Sequence, residues 1–566
     1  MTSRCVSWEG RFESKWSTSR RYAGPDIASL AQTGRKGAVC QPPRIAPELE
    51  THSPGSRPSV TWITTDHLVS NSKETATVAI DRRTMLKGTA AVAGAATLGG
   101  PFQGLVAAPA NALGAPAFRD LRPIPDLRDG KVRLHLPEGF TYRSFHDTES
   151  PVVLDDGTIL PGRHDGMAAF DGPDGHVTLV RNHEVNAPGA AFGPVGDWTY
   201  DPMAQGGCTV VNVSHEGHVA AAWTGINGTM MNCSGGPMPW GAWITCEETI
   251  NGPDVGPDFT GTSNIPLTKP HGYIFEVPTT GRASGEPITA AGRFAHEAVA
   301  LDPVDSYLYL TEDNYGFASG FYRYQPKQHP MESGHIDNDG TLQMLAVKGM
   351  PNAHLEATQR DRASYEVEWV EIEEPNPTFP YTPGENAPTT NDAAIAYVGN
   401  QGREQGAANF SRLEGAIYDN GVVYFTSTQG GGPAEESDGP IGNGYGNGYG
   451  QVWAYHCRSS RLELIYQSPS RMVLDLPDNI TVSKRGTLVV CEDNSQDNYL
   501  RGLNRGGQLW DIALNRVESA RTGKPRYDDE FAGSTFSPDG RTLFVNIQAS
   551  AGMSFAIWGP WHQHGV

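Results

Sequence analysis

The chain has no run of 18 or more apolar residues that would read as a membrane span of its folded part, so stable membrane insertion is not expected. It is also short of positive charge: 43 Lys and Arg stand against 64 Asp and Glu, a formal net charge of −21. A nucleic-acid binder needs a basic face, and none is visible. Cysteine is scarce, with 7 in 566 residues. Beyond residue 112 the thiols are Cys208, Cys233, Cys246, Cys457 and Cys491, with no C-x-x-C pair. An odd number leaves at least one unpaired unless it bridges chains. Familiar signatures are missing too. There is no Gly-x-Ser-x-Gly elbow and no Walker loop, and His183-Glu184, His215-Glu216 and His296-Glu297 all lack the second histidine of a zincin. Long amphipathic helices are hard to find.

What the sequence does have, beyond about residue 130, is short β-branched and aromatic runs punctuated by Gly, Pro, Asn and Asp. That pattern predicts an all-β fold. The runs 179–184, 243–248, 308–313, 424–428, 488–493 and 543–548 each look like one strand with a polar end. Their repetition predicts a six-bladed β-propeller with long inter-blade insertions, the largest over about 325–395. Tight turns are expected at Asp302-Pro303, at 483–486 and at Ser537-Pro538-Asp539-Gly540. The Gly/Asn/Tyr stretch 442–450 reads as flexible and low in complexity.

Three strand-like runs end in acid pairs: Glu247-Glu248, Glu312-Asp313 and Glu492-Asp493. Carboxylates recurring at one structural position, far apart in sequence, converge in a propeller channel. There they repel unless protons or cations neutralise them. A polynuclear metal site of oxygen ligands follows, and calcium suits such a set. Cys233, in Asn232-Cys233-Ser234-Gly235, adds a ligand for a softer or borderline metal, with iron plausible. Pro477-Asp478-Asn479 offers a further carboxylate and an amide oxygen. Arg412 and Glu414, two apart, share a strand face and read either as a fork for a phosphate or carboxylate oxygen or as a salt bridge.

The amino-terminal part divides differently. Residues 1–80 lack apolar periodicity and are rich in Ser, Arg, Pro and Thr, so they read as disordered or as the product of a start codon set too far upstream. Residues 81–112 hold Arg82-Arg83, Met85-Leu86, Lys87, an Ala/Gly run and Ala110-Asn111-Ala112, in the order of a twin-arginine export signal with its cleavage site. Export by the twin-arginine machinery is therefore expected, to a periplasmic, cell-wall or secreted location. Residues 113–566 form the working domain.

The motifs Arg181-Asn182-His183-Glu184, Asn232-Cys233, Cys246-Glu247-Glu248, His296-Glu297-Ala298, Thr311-Glu312-Asp313, Arg412-x-Glu414-Gly415, Pro477-Asp478-Asn479 and Cys491-Glu492-Asp493, in this order behind such a leader, resemble the PhoX-type alkaline phosphatases. The resemblance implies a six-bladed propeller with ferric and calcium ions in its channel that hydrolyses small phosphomonoester substrates. It implies that Cys233 is an iron ligand and that Glu248, Glu297, Glu414 and Asp493 bind iron or calcium. Glu184, Asp478 and Asn479 are further ligands, and Arg412 grips the phosphoryl oxygens. One departure stands out. His164-Asp165-Gly166-Met167 occupies the place of an Asn-Asp-aromatic sequence, so only Asp165 is retained. A monomer without nucleic-acid partners is expected. The competing readings are a calcium-dependent propeller lactonase or phosphodiesterase that needs no Cys233, and a non-catalytic exported propeller.

Overall fold

The structure is a computed structural model that describes residues 120–258, 260–435 and 444–566. The expected extension over 1–80 and the export signal over 81–112 lie outside the described residues. Strand follows strand through nearly all of the rest, and the longest described helix, Tyr397–Glu404, has 8 residues. The expected turns form where Pro, Asp and Gly place them. In one, the Gly540 amide donates to the Ser537 carbonyl at 2.7 Å while Gly540 takes φ +73°.

The expectation of a six-bladed propeller made of separate four-stranded blades is corrected by the strand pairing. Among the described residues there are five sheets, of six, three, nine, four and four strands. The reason lies in the segment after Phe321–Pro326. Ser364–Glu371 hydrogen-bonds on one side to Gly340–Val347 and on the other to Arg461–Gln467, which fuses two repeats into the nine-stranded sheet. Arg122–Pro125 and Val132–Leu136 add to the edge of Leu509–Asn515 and widen another sheet to six. Thr141–Phe145 pairs with Met553–Trp558, so an early strand closes the assembly on a late one.

The site is positioned by six strands that pack side by side, each on the next and the last on the first. They are His164–Asp171, Asn232–Met238, His296–Leu301, Leu413–Asp419, Pro477–Val482 and Glu530–Phe536. Each is the terminal strand of its sheet, so the closed ring covers edges that would otherwise be open to pairing. Apolar cores lie between successive repeats, one of them between the two halves of the nine-stranded sheet. Phe321 stacks on Phe425 with centroids 4.2 Å apart, and Trp453 is fully buried beside them. Each such side chain contributes about 1.5–3 kcal/mol by leaving water, which fixes the sheets that carry the ring.

Candidate metal centre

All six ring strands are irregular at the same place. Two of their residues face one on the partner strand: Asp165-Gly166, Cys233-Ser234, Glu297-Ala298, Glu414-Gly415, Asp478-Asn479 and Gly533-Ser534. A β-bulge turns a side chain away from the regular alternation, and here the first residue of five of the six is Asp, Cys or Glu. At the sixth, Gly533 takes φ +59°, and a Cβ there would lie 2.3 Å from the Asp165 carbonyl oxygen. Glycine is needed at that point to let the ring close.

A second tier comes from the residue that follows each neighbouring strand. The amides of Glu184, Glu248, Asp313, Thr428 and Asp493 donate at 2.9–3.2 Å to the carbonyls of Arg163, Met231, Ala295, Arg412 and Leu476, the residues just ahead of the ring strands. The acid doublets therefore divide. The second acid lines the central cavity, and alternation turns the first outward. Glu247 accepts from His271 Nδ1 at 2.6 Å, Glu312 from the Tyr322 hydroxyl at 2.9 Å, and Glu492 from Arg501 Nε at 2.9 Å.

The result is a cavity of about 290 Å³ lined by Glu184, Cys233, Glu248, Asp313, Arg412, Glu414, Asp478, Asp493 and Glu530, with Arg163 and Gln548 at one side. Cys233, Glu248 and Glu297 bring donor atoms within 4.8 Å of one another, as do Glu297, Glu414 and Asp478. Burial, then Glu414 and Glu248, pushes the Glu297 carboxyl well above the usual range. Burial does the same at Asp165, Glu248, Glu414 and Glu530, reinforced by neighbouring acids. It lifts Glu184 to about 7 and Asp478 to about 8, and raises the Cys233 thiol.

Arg412 stands among these acids. Burial works against its charge, but Asp313 and Glu414 outweigh that and hold it firmly protonated. Asp313 takes both Nε and Nη2, at 3.1 and 2.7 Å, and Glu414 accepts from Nη2 at 3.0 Å. Nη1 takes part in neither pair. Arg163 bridges Glu184 and Gln548, each at 3.0 Å, and Gln548 in turn donates to Asp165 at 2.7 Å.

Both Glu297 oxygens and Asp165 Oδ1 are buried without a hydrogen-bond partner. Buried carboxylates do not persist unpaired, so this donor set fits a metal cofactor. Of the residues read from sequence, the structure brings Cys233, Glu248, Glu297, Glu414, Asp493, Glu184, Asp478 and Arg412 together. Asn479 is not among them. Its Nδ2 donates to Asp478 Oδ1 at 2.9 Å on its own strand and its Oδ1 accepts from the Gly533 amide on the next, so both polar atoms are taken up within the ring. Sequence reasoning does not single out Glu530, Arg163 or Gln548 for the site, and it places Asp313 there only as one of an acid pair. Asp313 was legible as the second acid of its doublet, whereas Glu530 had no signal beyond opening a strand.

The family described as Alkaline phosphatase PhoX matches residues 120–224 and 216–551. The chain belongs to the PhoX family. With that membership comes hydrolase activity on phosphate esters. Among solved structures, Pseudomonas fluorescens PhoX in complex with vanadate, a transition-state analogue, is 17% identical over 79% of this chain and 99% of that one, with a TM-score of 0.53. The two share a fold. A gluconolactonase from Xanthomonas campestris is 12% identical over 78% of this chain and 98% of that one at a TM-score of 0.36, too distant to bear on function. No curated protein matches the chain. No helix among the described residues is long and apolar enough to cross a membrane.

Proposed function

We propose that this PhoX-family enzyme is an exported alkaline phosphomonoesterase whose central acids and Cys233 hold ferric and calcium ions. The observation that carries this is Glu297. It is fully buried, both its oxygens lack a partner, and it belongs to both donor triads. Cys233, Glu248 and Glu297 supply one thiolate with two carboxylates, a set suited to iron. Glu297, Glu414 and Asp478, with Asp493 and Glu184 nearby, supply the hard oxygens that calcium prefers. Asn479 acts by holding Asp478 rather than as a ligand.

When bound, the ions supply Lewis-acid stabilisation of the phosphoryl oxygens. Arg412 adds directed hydrogen bonds to that charge stabilisation. Its fork is fixed by Asp313 and Glu414, and Nη1 is left to donate to an equatorial phosphoryl oxygen as charge redistributes in the displacement. The clamp spares Arg412 the entropy of finding that pose at each turnover. Arg163 keeps Glu184 in place from the rim. The export signal read over 81–112 suits an enzyme that releases phosphate from organic esters outside the cytoplasmic membrane.

The test is elemental analysis of the purified protein together with hydrolysis of 4-nitrophenyl phosphate at alkaline pH. Iron and calcium with chelator-sensitive turnover are expected. An iron-free protein that turns over the ester equally well would remove the iron assignment, and absence of turnover in the metal-replete protein would remove the phosphomonoesterase.

A further inference from the structure

Two residues beyond Asp313, the acid that fixes Arg412, stands Tyr315. The residue is 53% exposed, one of the few large rings left in water among the described residues. The guanidinium of Arg412, which lines the cavity, lies 5.6 Å from its ring centroid, so the ring is a neighbour of the cavity wall. Exposure of a single ring is ordinary on a protein surface; what distinguishes this one is its place beside Arg412.

The ring is also held. The Tyr445 amide donates to the Tyr315 carbonyl at 2.7 Å. Gly444, at φ +88°, lies so close that a Cβ there would fall 3.2 Å from the ring carbon Cε2. The Gly/Asn/Tyr run read from sequence as flexible is closely packed over its described part, 444–450. A Cβ at Gly446 would meet the Ser411 hydroxyl at 2.4 Å, and one at Gly450 would meet Pro477 Cδ at 2.1 Å. Ser411 precedes Arg412, and Pro477 precedes Asp478. The alternating glycines thus let one backbone segment lie directly against the residues that set the arginine, the candidate ligand Asp478 and the tyrosine ring. Conformational freedom is used here for close approach rather than for mobility.

We propose that Tyr315 is a specificity-determining residue, the platform on which the alcohol portion of the ester lies. The site then favours phosphate esters whose leaving group is flat and π-bearing, aryl or nucleoside in class. This rests on the phosphomonoesterase reading above. A phosphoryl group gripped by Arg412 has its ester oxygen one bond from phosphorus, and the carbon attached to it must leave along the cavity rim. Past Arg412 the next exposed ring is that of Tyr315, 5.6 Å from the guanidinium. Stacking on a fixed aromatic face tolerates any flat π system, because each presents a face of its own. Aliphatic alcohols gain no comparable face contact.

The experiment compares kcat/KM for 4-nitrophenyl phosphate and for glycerol 2-phosphate in metal-replete wild type, Tyr315→Ala and Tyr315→Phe. Intrinsic leaving-group reactivity cancels, because each substrate is compared with itself across variants. Tyr315→Ala is expected to lose about tenfold on the aryl ester and less than about twofold on the glycerol ester. Tyr315→Phe is expected to keep the wild-type ratio, and inhibition by inorganic phosphate, which has no leaving group, is expected to stay unchanged. An equal fall on both esters, or none on either, would overturn the platform. So would loss of the ratio in Tyr315→Phe. Failure of the phosphomonoesterase reading would look different, since wild type would then turn over neither ester.

Discussion

Replacing Glu297 by Gln changes one oxygen for an amide and nearly preserves shape, yet its effect on stability should change sign with metal. Donor atoms of Glu248, Glu414 and Asp478 all lie within 4.8 Å of Glu297. At that separation two unit charges cost about 3.5 kcal/mol at an effective dielectric of about 20, so three such pairs approach 10 kcal/mol. A whole domain is stable by only about 5–15 kcal/mol, so the metal-free protein must protonate part of the cluster instead. For Glu297 the cost of taking a proton at pH 7, from an unfolded pKa of about 4.3, is about 1.36 kcal/mol per pH unit, or about 3–4 kcal/mol. The sign follows. A carboxyl whose folded pKa is raised destabilises the fold increasingly as pH climbs above its unfolded value. Gln carries no such cost. In chelator, Glu297→Gln should therefore melt higher than wild type, with an advantage that grows between pH 5 and 7. With metal restored the order should reverse, because the variant has lost a shared anionic ligand. Thermal melts of both proteins, with and without iron and calcium, read this directly. A variant less stable than wild type in chelator, or equally metal-stabilised, would refute the idea that Glu297 is kept charged and buried by cations.

Further outcomes follow from other parts of the structure. Arg412→Ala should lower kcat and raise KM for 4-nitrophenyl phosphate, with kcat/KM down about 100-fold or more by loss of a transition-state donor. Metal content measured by elemental analysis should stay near wild type, and its loss would make the arginine structural. His271 is fully buried between Glu247 and Asp201. Burial opposes its charge, but the two carboxylates win and raise its pKa to about 9. Its stabilisation is complete below the unfolded pKa of about 6.5 and is lost as pH rises through about 9, a change of about 3 kcal/mol. Melting curves of wild type should fall over that window, and those of His271→Gln should be flatter there. Gly533→Ala should destabilise the protein by about 1–3 kcal/mol, read by denaturant unfolding, because a Cβ would meet the Asp165 carbonyl at 2.3 Å in a left-handed backbone.

Much of the fold class and the donor chemistry can be read from the residues alone. Strand content showed in the β-branched runs, and the candidate ligands showed because Cys, Glu and Asp ending such runs have few other reasons to recur. The order of those runs was enough to mark the family. Which acid of each doublet faces the cavity emerges only once the strands are folded together. Glu247 and Glu248 look alike in a string of letters, but one turns to His271 and the other to the cavity, since side chains alternate across a strand. The same holds for the bulges. Two residues facing one is a property of a strand pair, so no single run announced that Asp165, Cys233, Glu297, Glu414 and Asp478 are equivalent. The blade count failed for a related reason. Periodicity counts repeats along the chain, whereas hydrogen bonding from Ser364–Glu371 to strands on both sides decides where one sheet stops. The glycines of 444–450 make the point once more: their freedom to bend is written in the sequence, and their use for close packing against the Arg412 segment is settled only by what lies beside them.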